Sequence, residues 1–287
     1  MRRRPSIPRV RPSPRPNPKR AAQVRPIPSA NLFGVVQPLL MLRAVSKSFG
    51  GVAAVRGVST VLGRGEIRGL IGPNGSGKTT LLNLIGGQVP LDAGEVLLEG
   101  RPIRGSAPDA AARMGLARTF QIPRVFRHMT VLENLLLPFC ADHREMPWSE
   151  GLEEARRSLR FVGLDRLAGA EARELSGGQA MLLQLARCLI QQPLRLCLLD
   201  EPFAGVHPAI RDRMVEAINE INRDRGVTFL VVSHEMTTLR RLAPRVSVMH
   251  NGEWIAEGPL DEVAADPGVI EAYLGDRRAE AGAALDT

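Results

Sequence analysis

Two hydrophobic periods interleave along this chain. Short runs rich in Leu, Ile and Val at Glu66–Ile71, Leu196–Leu199 and Thr228–Val232 predict strands, and the continuous apolar character of the second predicts a strand buried on both faces of a parallel sheet. Gly94–Gly100 reads as a further strand with turn residues at each end. Elsewhere apolar residues return at helical spacing: Leu152, Ala155, Leu159 and Val162; Leu182, Leu185, Ala186 and Leu189; Ile210, Met214, Ile218 and Ile221. Thr130 caps a helix running through Leu135, and Pro208 opens one that ends at Gly226. The order predicts an α/β domain with a β-rich lobe over about 41–118, a helical insertion over about 121–178, and a return to the sheet. About 235 residues is ample for a sizeable core in one such domain.

The junction between the first run and the helix after it carries the first candidate chemistry. Gly72, Pro73, Asn74, Gly75, Ser76, Gly77, Lys78, Thr79 and Thr80 join a strand to the helix start Leu81-Leu82-Asn83-Leu84-Ile85, the setting in which a glycine-rich loop cradles phosphates. Glycines let successive backbone N–H groups turn inward, and the helix beginning near Lys78 adds its positive dipole end. Lys78 is placed to reach the β- and γ-phosphates, and the Thr79 hydroxyl to ligate a bridging Mg²⁺. A second site supports the first, because the run Leu196–Leu199 delivers Asp200 and Glu201 to the carboxyl end of its strand. Neighbouring strand residues point to opposite sides. Asp200 is therefore expected to hold Mg²⁺ through its water shell, and Glu201 to polarise the attacking water.

Leu175-Ser176-Gly177-Gly178-Gln179 opens another helix, so its N–H donors form a second anion site. Two half-sites for one triphosphate on different lobes imply that each pairs with the complementary half of a neighbouring molecule. Together with the phosphate loop and the acid pair, this sequence resembles the signature of the ABC-type ATPases, and the resemblance extends over about residues 40–275. It implies a P-loop NTPase of ABC type, with a small antiparallel β subdomain and a helical subdomain inserted over about 121–178. It also implies ATP and Mg²⁺ as ligands, ATP hydrolysis as the activity, and two subunits sandwiching two ATP molecules head to tail. Residue by residue, Phe49 resembles the aromatic that stacks on adenine, and Gln121 the glutamine that senses the γ-phosphate and Mg²⁺. Ser176, Gly177, Gly178 and Gln179 resemble the signature that contacts ATP held by the partner, and His234 resembles the switch histidine. Ala204–Pro208 occupies the loop that crosses to the partner, where His207 departs from the acid that many members carry.

Composition changes this picture mainly at the ends. The chain has 38 Lys and Arg against 30 Asp and Glu, a net charge of +8, which by itself points to nucleic acid or an anionic surface. Residues 1–40, however, hold nine of those basic residues, nine prolines and no acid, so the remainder carries 29 basic residues against 30 acidic ones. The folded part is not basic, and no nucleic-acid partner is expected. The segment 1–39 cannot form a helix through its prolines or bury a core, and is expected to be disordered. It reads either as an unstructured appendage, with the family-like stretch opening at Met41, or as an electrostatic tether. Residues 276–287 are expected to form a flexible tail. Cys140, Cys188 and Cys197 lack metal-ligand spacing and read as reduced thiols, while His128, His143 and His250 read as surface or loop groups. No apolar stretch approaches the ~20 residues needed to cross a bilayer.

The branch of the family shows in two stretches. Ala117–Phe126 with Met129–Leu135, and Ile255–Pro259 with Asp266–Gly275, resemble the ATP-binding subunit of branched-chain amino-acid importers. The implied partners are transmembrane permease subunits, a second ABC ATPase subunit and, indirectly, an extracytoplasmic binding protein. The implied location is peripheral, at the cytoplasmic face of the inner membrane. The alternatives are the ATPase of another ABC transporter, such as one for urea or amides, and a non-transport ABC ATPase. The last is disfavoured by a single domain copy without sustained heptads.

Overall fold

The computed structural model describes residues 38–103, 107–141 and 147–274, without the side chains of Cys140 and Ala141. Apart from Pro38 and Leu39, the extension over 1–39 lies outside these residues, as do the tail over 276–287 and His143. Strand β1 (Pro38–Phe49) begins two residues before the expected boundary at 40. Its opening residues belong to the core, with Leu39 2% and Leu40 0% exposed. Met41 thus lies inside a strand rather than at its start.

Two sheets form the framework. In the smaller, β1 pairs antiparallel with β2 (Val52–Gly63) and with β4 (Ala93–Leu98), which pairs with the short β5 (Arg101–Pro102), giving the order β2-β1-β4-β5. The larger has the order β10-β9-β3-β8-β7-β6. Its strands β3 (Ile67–Ile71), β6 (Leu116–Arg118), β7 (Leu196–Asp200), β8 (Thr228–Val232) and β9 (Arg245–His250) are parallel, and β10 (Glu253–Gly258) is the antiparallel edge.

Every residue of β3, β7 and β8 is buried. Side-chain alternation divides them between two cores. Leu70, Leu196, Leu198, Leu230 and Val232 pack with the small sheet and with α1 (Lys78–Ile85), which follows the phosphate loop. Ile71, Cys197, Leu199, Phe229 and Val231 pack on the opposite side, in the core shared with α3 (Val131–Ala141), α4 (Trp148–Val162), α5 (Gly177–Ile190) and α6 (Pro208–Arg225). Covering both faces is what permits a parallel sheet of apolar strands. The short helices α2 (Pro108–Arg113), α7 (Met236–Leu242) and α8 (Leu260–Ala264) follow in chain order, before a last helical segment over 267–274.

The helix boundaries have local causes. Thr130 and Glu133 close a reciprocal cap at the start of α3, with the Glu133 N–H donating to Thr130 Oγ1 at 3.1 Å and the Thr130 N–H to Glu133 Oε2 at 2.7 Å. Pro208 stands in the first turn of α6, and Gly226 ends it at φ +63°. His207 is the N-cap of α6, its Nδ1 accepting from the Ala209 N–H at 3.3 Å. The imidazole Nδ1 here does the capping that a carboxylate oxygen would do.

Candidate functional site: a phosphate cradle facing two carboxylates

The phosphate loop leaves the carboxyl end of β3 and is shaped by close approach to neighbouring backbone. Gly72 (φ +148°) lies so near β9 that a Cβ would stand 2.1 Å from the Met249 carbonyl oxygen, and one on Gly77 (φ +101°) would stand 2.2 Å from that of Ala54. No side chain fits at either position. The loop is tied from outside as well, since Gly252 N–H donates to the Ser76 carbonyl at 3.0 Å. Lys78 Nζ folds back over the loop to the carbonyl oxygens of Gly72 and Pro73, each at 2.7 Å. A cation at the mouth of a glycine-lined helix N-terminus, with open space around Gly75, fits a polyphosphate.

Asp200 ends β7 opposite this loop. Its Oδ1 is 3.4 Å from Thr79 Oγ1, and its Oδ2 is 3.1 Å from Arg118 Nη2. The hydroxyl and carboxylate expected to share a metal are thus neighbours. A magnesium ion suits such a pair, because it keeps several waters and takes few protein oxygens alongside phosphates. Arg118, from the end of β6, was not anticipated from sequence. Its Nη1 also bonds Asn83 Oδ1 and Gln88 Oε1, each at 2.7 Å, and its ring neighbour is Phe120. Burial pushes the guanidinium pKa down and the Asp200 charge opposes that shift.

Glu201 differs from the expectation based on strand alternation. It lies one residue beyond β7 with φ +47°, so its direction comes from a left-handed kink rather than from the pleat. Its N–H still bonds the Val232 carbonyl at 2.9 Å, and its Oε2 meets His234 Nδ1 at 2.9 Å and the His234 N–H at 3.3 Å. The acid and the histidine, on adjacent strand ends, therefore meet directly. Tyr273, from the C-terminal segment, lies by the phosphate loop at Gly72. Burial raises its phenol pKa, with a backbone hydrogen bond from Gly72 opposing and the Glu201 charge reinforcing the shift. Nothing in the sequence pattern marked that contact.

Ser176 caps α5 in a reciprocal box: the Gln179 N–H donates to Ser176 Oγ at 3.3 Å and the Ser176 N–H to Gln179 Oε1 at 2.9 Å. Gly177 is exposed with open space about its Cα, whereas a Cβ on Gly178 would meet Ile210 at 3.1 Å. This helix end is presented to solvent. Gln121 and Ile122 are exposed as well, on the loop after β6. Phe49 presents a half-exposed ring with Lys47 Nζ 5.4 Å from its centroid. Of the expected thiols, Cys188 and Cys197 are buried and free, and the hydrogen bond between them, with burial, raises the Cys197 pKa.

A parallel sheet with a phosphate loop, a facing acid pair and a separately presented signature helix defines a nucleotide-binding cassette. The chain belongs to the ABC transporter family, whose model matches residues 55–204, and residues 255–279 match the branched-chain amino acid ATP-binding cassette transporter model. It is 38% identical over 252 residues to the probable branched-chain amino acid transport ATP-binding protein LivG of Archaeoglobus fulgidus, covering 84% of this chain and 97% of that one. Its identity to the high-affinity LivG protein of Escherichia coli is 36%, covering 84% and 99%. Among solved structures, the ADP conformation of an ABC transporter cassette aligns with a TM-score of 0.74 at 35% identity, over 83% of this chain and 99% of that one. A dimeric bacterial ABC transporter cassette aligns with a TM-score of 0.70 at 26% identity, over 77% and 98%. The protein is an ATP-hydrolysing subunit of the ABC transporter family. Among the described residues, no helix is long and apolar enough to cross a membrane.

Proposed function

We propose that this subunit energises uptake of branched-chain amino acids through a permease, from the cytoplasmic face of the membrane, in response to a loaded extracytoplasmic binding protein. The observation that carries the substrate class is the match of residues 255–279 to the branched-chain amino acid model, joined to the names of the relatives matched over most of the chain.

The roles assigned to the chain's own residues are supported by the geometry at the phosphate loop, Asp200, Glu201 and His234, and by the family resemblance at Phe49, Gln121 and Ser176–Gln179. Gly72, Pro73, Asn74, Gly75, Ser76, Gly77, Lys78, Thr79 and Thr80 bind and orient the phosphates through N–H groups, the helix terminus and the Lys78 charge. Thr79 and Asp200 would hold Mg²⁺, with Gln121 as a further ligand. The ion neutralises charge on the phosphate oxygens when bound. Glu201 orients and deprotonates water, and His234 fixes that carboxylate through Oε2. Phe49 offers its ring to adenine. Ser176, Gly177, Gly178 and Gln179 contact ATP on the partner subunit, which makes two half-sites into one.

Reconstitution tests this reading. The subunit is placed in proteoliposomes with its cognate permease and binding protein, and ATPase is measured with leucine, isoleucine, valine, urea and short amides. Branched-chain amino acids should raise the rate several-fold over the unliganded binding protein. Stimulation by urea or amides alone would assign the system to that alternative, and indifference to any permease would remove transport from the account.

A further inference from the structure

One buried carboxamide joins the loop that carries Gln121 to the helix that carries the signature. Gln184 lies on α5 and is 4% exposed. Its Nε2 donates to the Phe120 carbonyl at 2.9 Å, and its Oε1 accepts the Arg124 N–H at 3.0 Å. Phe120 and Arg124 bracket Gln121-Ile122-Pro123, so both ends of the exposed segment are held on the same side chain. One turn later Arg187 reinforces the grip, its Nη1 donating to the Arg124 carbonyl at 2.7 Å. The Arg124 guanidinium in turn lies 4.0 Å from the Phe120 ring centroid.

The arrangement is mechanically specific. A primary amide has a donor end and an acceptor end, and here each meets the loop group of opposite kind. Moving the loop without the helix would leave a buried amide and two backbone groups unpaired, each a desolvation cost. From Gln184 back to Ser176 the path is about two turns of helix, roughly 12 Å at 1.5 Å per residue, with no flexible joint between them. That path is capped by the Ser176–Gln179 box at its far end.

We propose that Gln184 is a positioning residue that makes the Gln121 loop and the signature motif move as one body. Closure of the loop on a γ-phosphate then carries Ser176–Gln179 toward the nucleotide of the second subunit. This rests on the reading of Gln121 given above. It assigns Gln184 no contact with ATP; its effect is on the coupling between γ-phosphate recognition and dimer closure. A nucleotide lacking the γ-phosphate leaves the loop, and hence the signature, where it is.

The test uses the full chain carrying Glu201→Gln, so that bound ATP persists. Three further variants are compared with this parent: Gln184→Leu, Gln184→Glu and Gln121→Ala. ADP affinity is measured by titration, and ATP-driven dimerisation by size exclusion with light scattering. Gln184→Leu should leave ADP affinity within about twofold while raising the ATP concentration needed for dimerisation at least about fivefold. Gln184→Glu keeps the acceptor for Arg124 but not the donor for Phe120, and should fall between parent and Leu; it also serves if the Leu variant fails to fold. Gln121→Ala should match Gln184→Leu. The proposal is overturned if Gln121→Ala impairs dimerisation and neither Gln184 variant does, or if both Gln184 variants weaken ADP and ATP binding alike. If Gln121→Ala dimerises like the parent, the reading of Gln121 fails and the coupling falls with it.

Discussion

His234 and Glu201 meet on a single carboxylate oxygen, Oε2, which takes the imidazole Nδ1 at 2.9 Å and the His234 backbone N–H at 3.3 Å. The contact joins the ends of two adjacent strands, β7 and β8, whose register places Asp200 beside Val232. Two contacts from one residue hold that oxygen in place. The kink at Glu201, φ +47°, is a strained conformation for a residue with a side chain, and the His234 contacts help to hold it.

This relationship separates the two residues' roles in kinetics. Glu201→Gln should retain ATP binding and slow hydrolysis by about 10²- to 10⁴-fold, because the base is lost while the phosphate cradle stays intact. His234→Ala leaves the base in place but releases its orientation, so a smaller loss in kcat of about 10- to 100-fold is expected, with ATP affinity unchanged. Stopped-flow binding of a fluorescent ATP analogue, alongside steady-state phosphate release, distinguishes the two. Wild-type turnover in His234→Ala would show that the carboxylate needs no such support.

The sequence made the phosphate loop, the acid pair and the signature legible because each is a contiguous motif whose chemistry depends on local backbone. The strands β3, β7 and β8 were legible for a related reason, since complete burial writes itself as an unbroken apolar run. Arg118, Gln184 and Tyr273 were not, because their partners lie far away in the chain, and Asn134 was not, because its partner Phe126 stands on the irregular loop before its helix. Arg118 reaches Asp200, 82 positions on, and Gln184 reaches Phe120, 64 positions back. Asn134 is wholly buried, and its amide clasps the Phe126 N–H and carbonyl at 2.9 and 3.0 Å. A polar residue inside an apolar helical stripe was the available signal at Gln184 and Asn134. For Arg118 the signal was a guanidinium at the end of a short apolar strand. Alternation does not govern Glu201, because it describes a regular pleat and the strand stops at Asp200.

Arg118 and Asp200 have side chains 5% and 4% exposed, and their ion pair is accordingly a sensitive one. Arg118→Met removes the cation and leaves the carboxylate buried beside Thr79. Loss of one partner of a buried pair costs about 3 kcal/mol, which in a domain of this size lowers Tm by about 6–12 °C. A saturating Mg²⁺-nucleotide should recover part of that deficit by bringing positive charge to the same acid. Differential scanning fluorimetry with and without Mg²⁺-ATP, on chains that also carry Glu201→Gln, measures both effects. An unchanged Tm for the nucleotide-free Arg118→Met chain would mean that the pair does not hold this acid in place.

The surface beyond Gln121 is where the proposed coupling to a membrane partner is tested. Ile122 is 81% and Phe126 51% exposed, yet Gln184, Arg187 and Asn134 fix the backbone beneath them. Exposed apolar side chains on a firmly held loop suit docking, because little conformational entropy is lost on binding. Arg187 already lies 5.3 Å from the Phe126 ring. Phe126→Arg would therefore bring a second cation beside the first and place unpaired charge in the contact with the permease. The loop stays anchored by backbone bonds, so hydrolysis by the isolated subunit should remain within about twofold of wild type. Stimulation by the permease and amino-acid uptake should both fall by more than about tenfold, the loss expected for an anchor residue at an interface. ATPase in detergent and uptake in proteoliposomes are measured on the same preparation. Intact uptake in Phe126→Arg would show that the permease docks elsewhere, and a matching loss of basal hydrolysis would show that this side chain supports the ATP site rather than the partner.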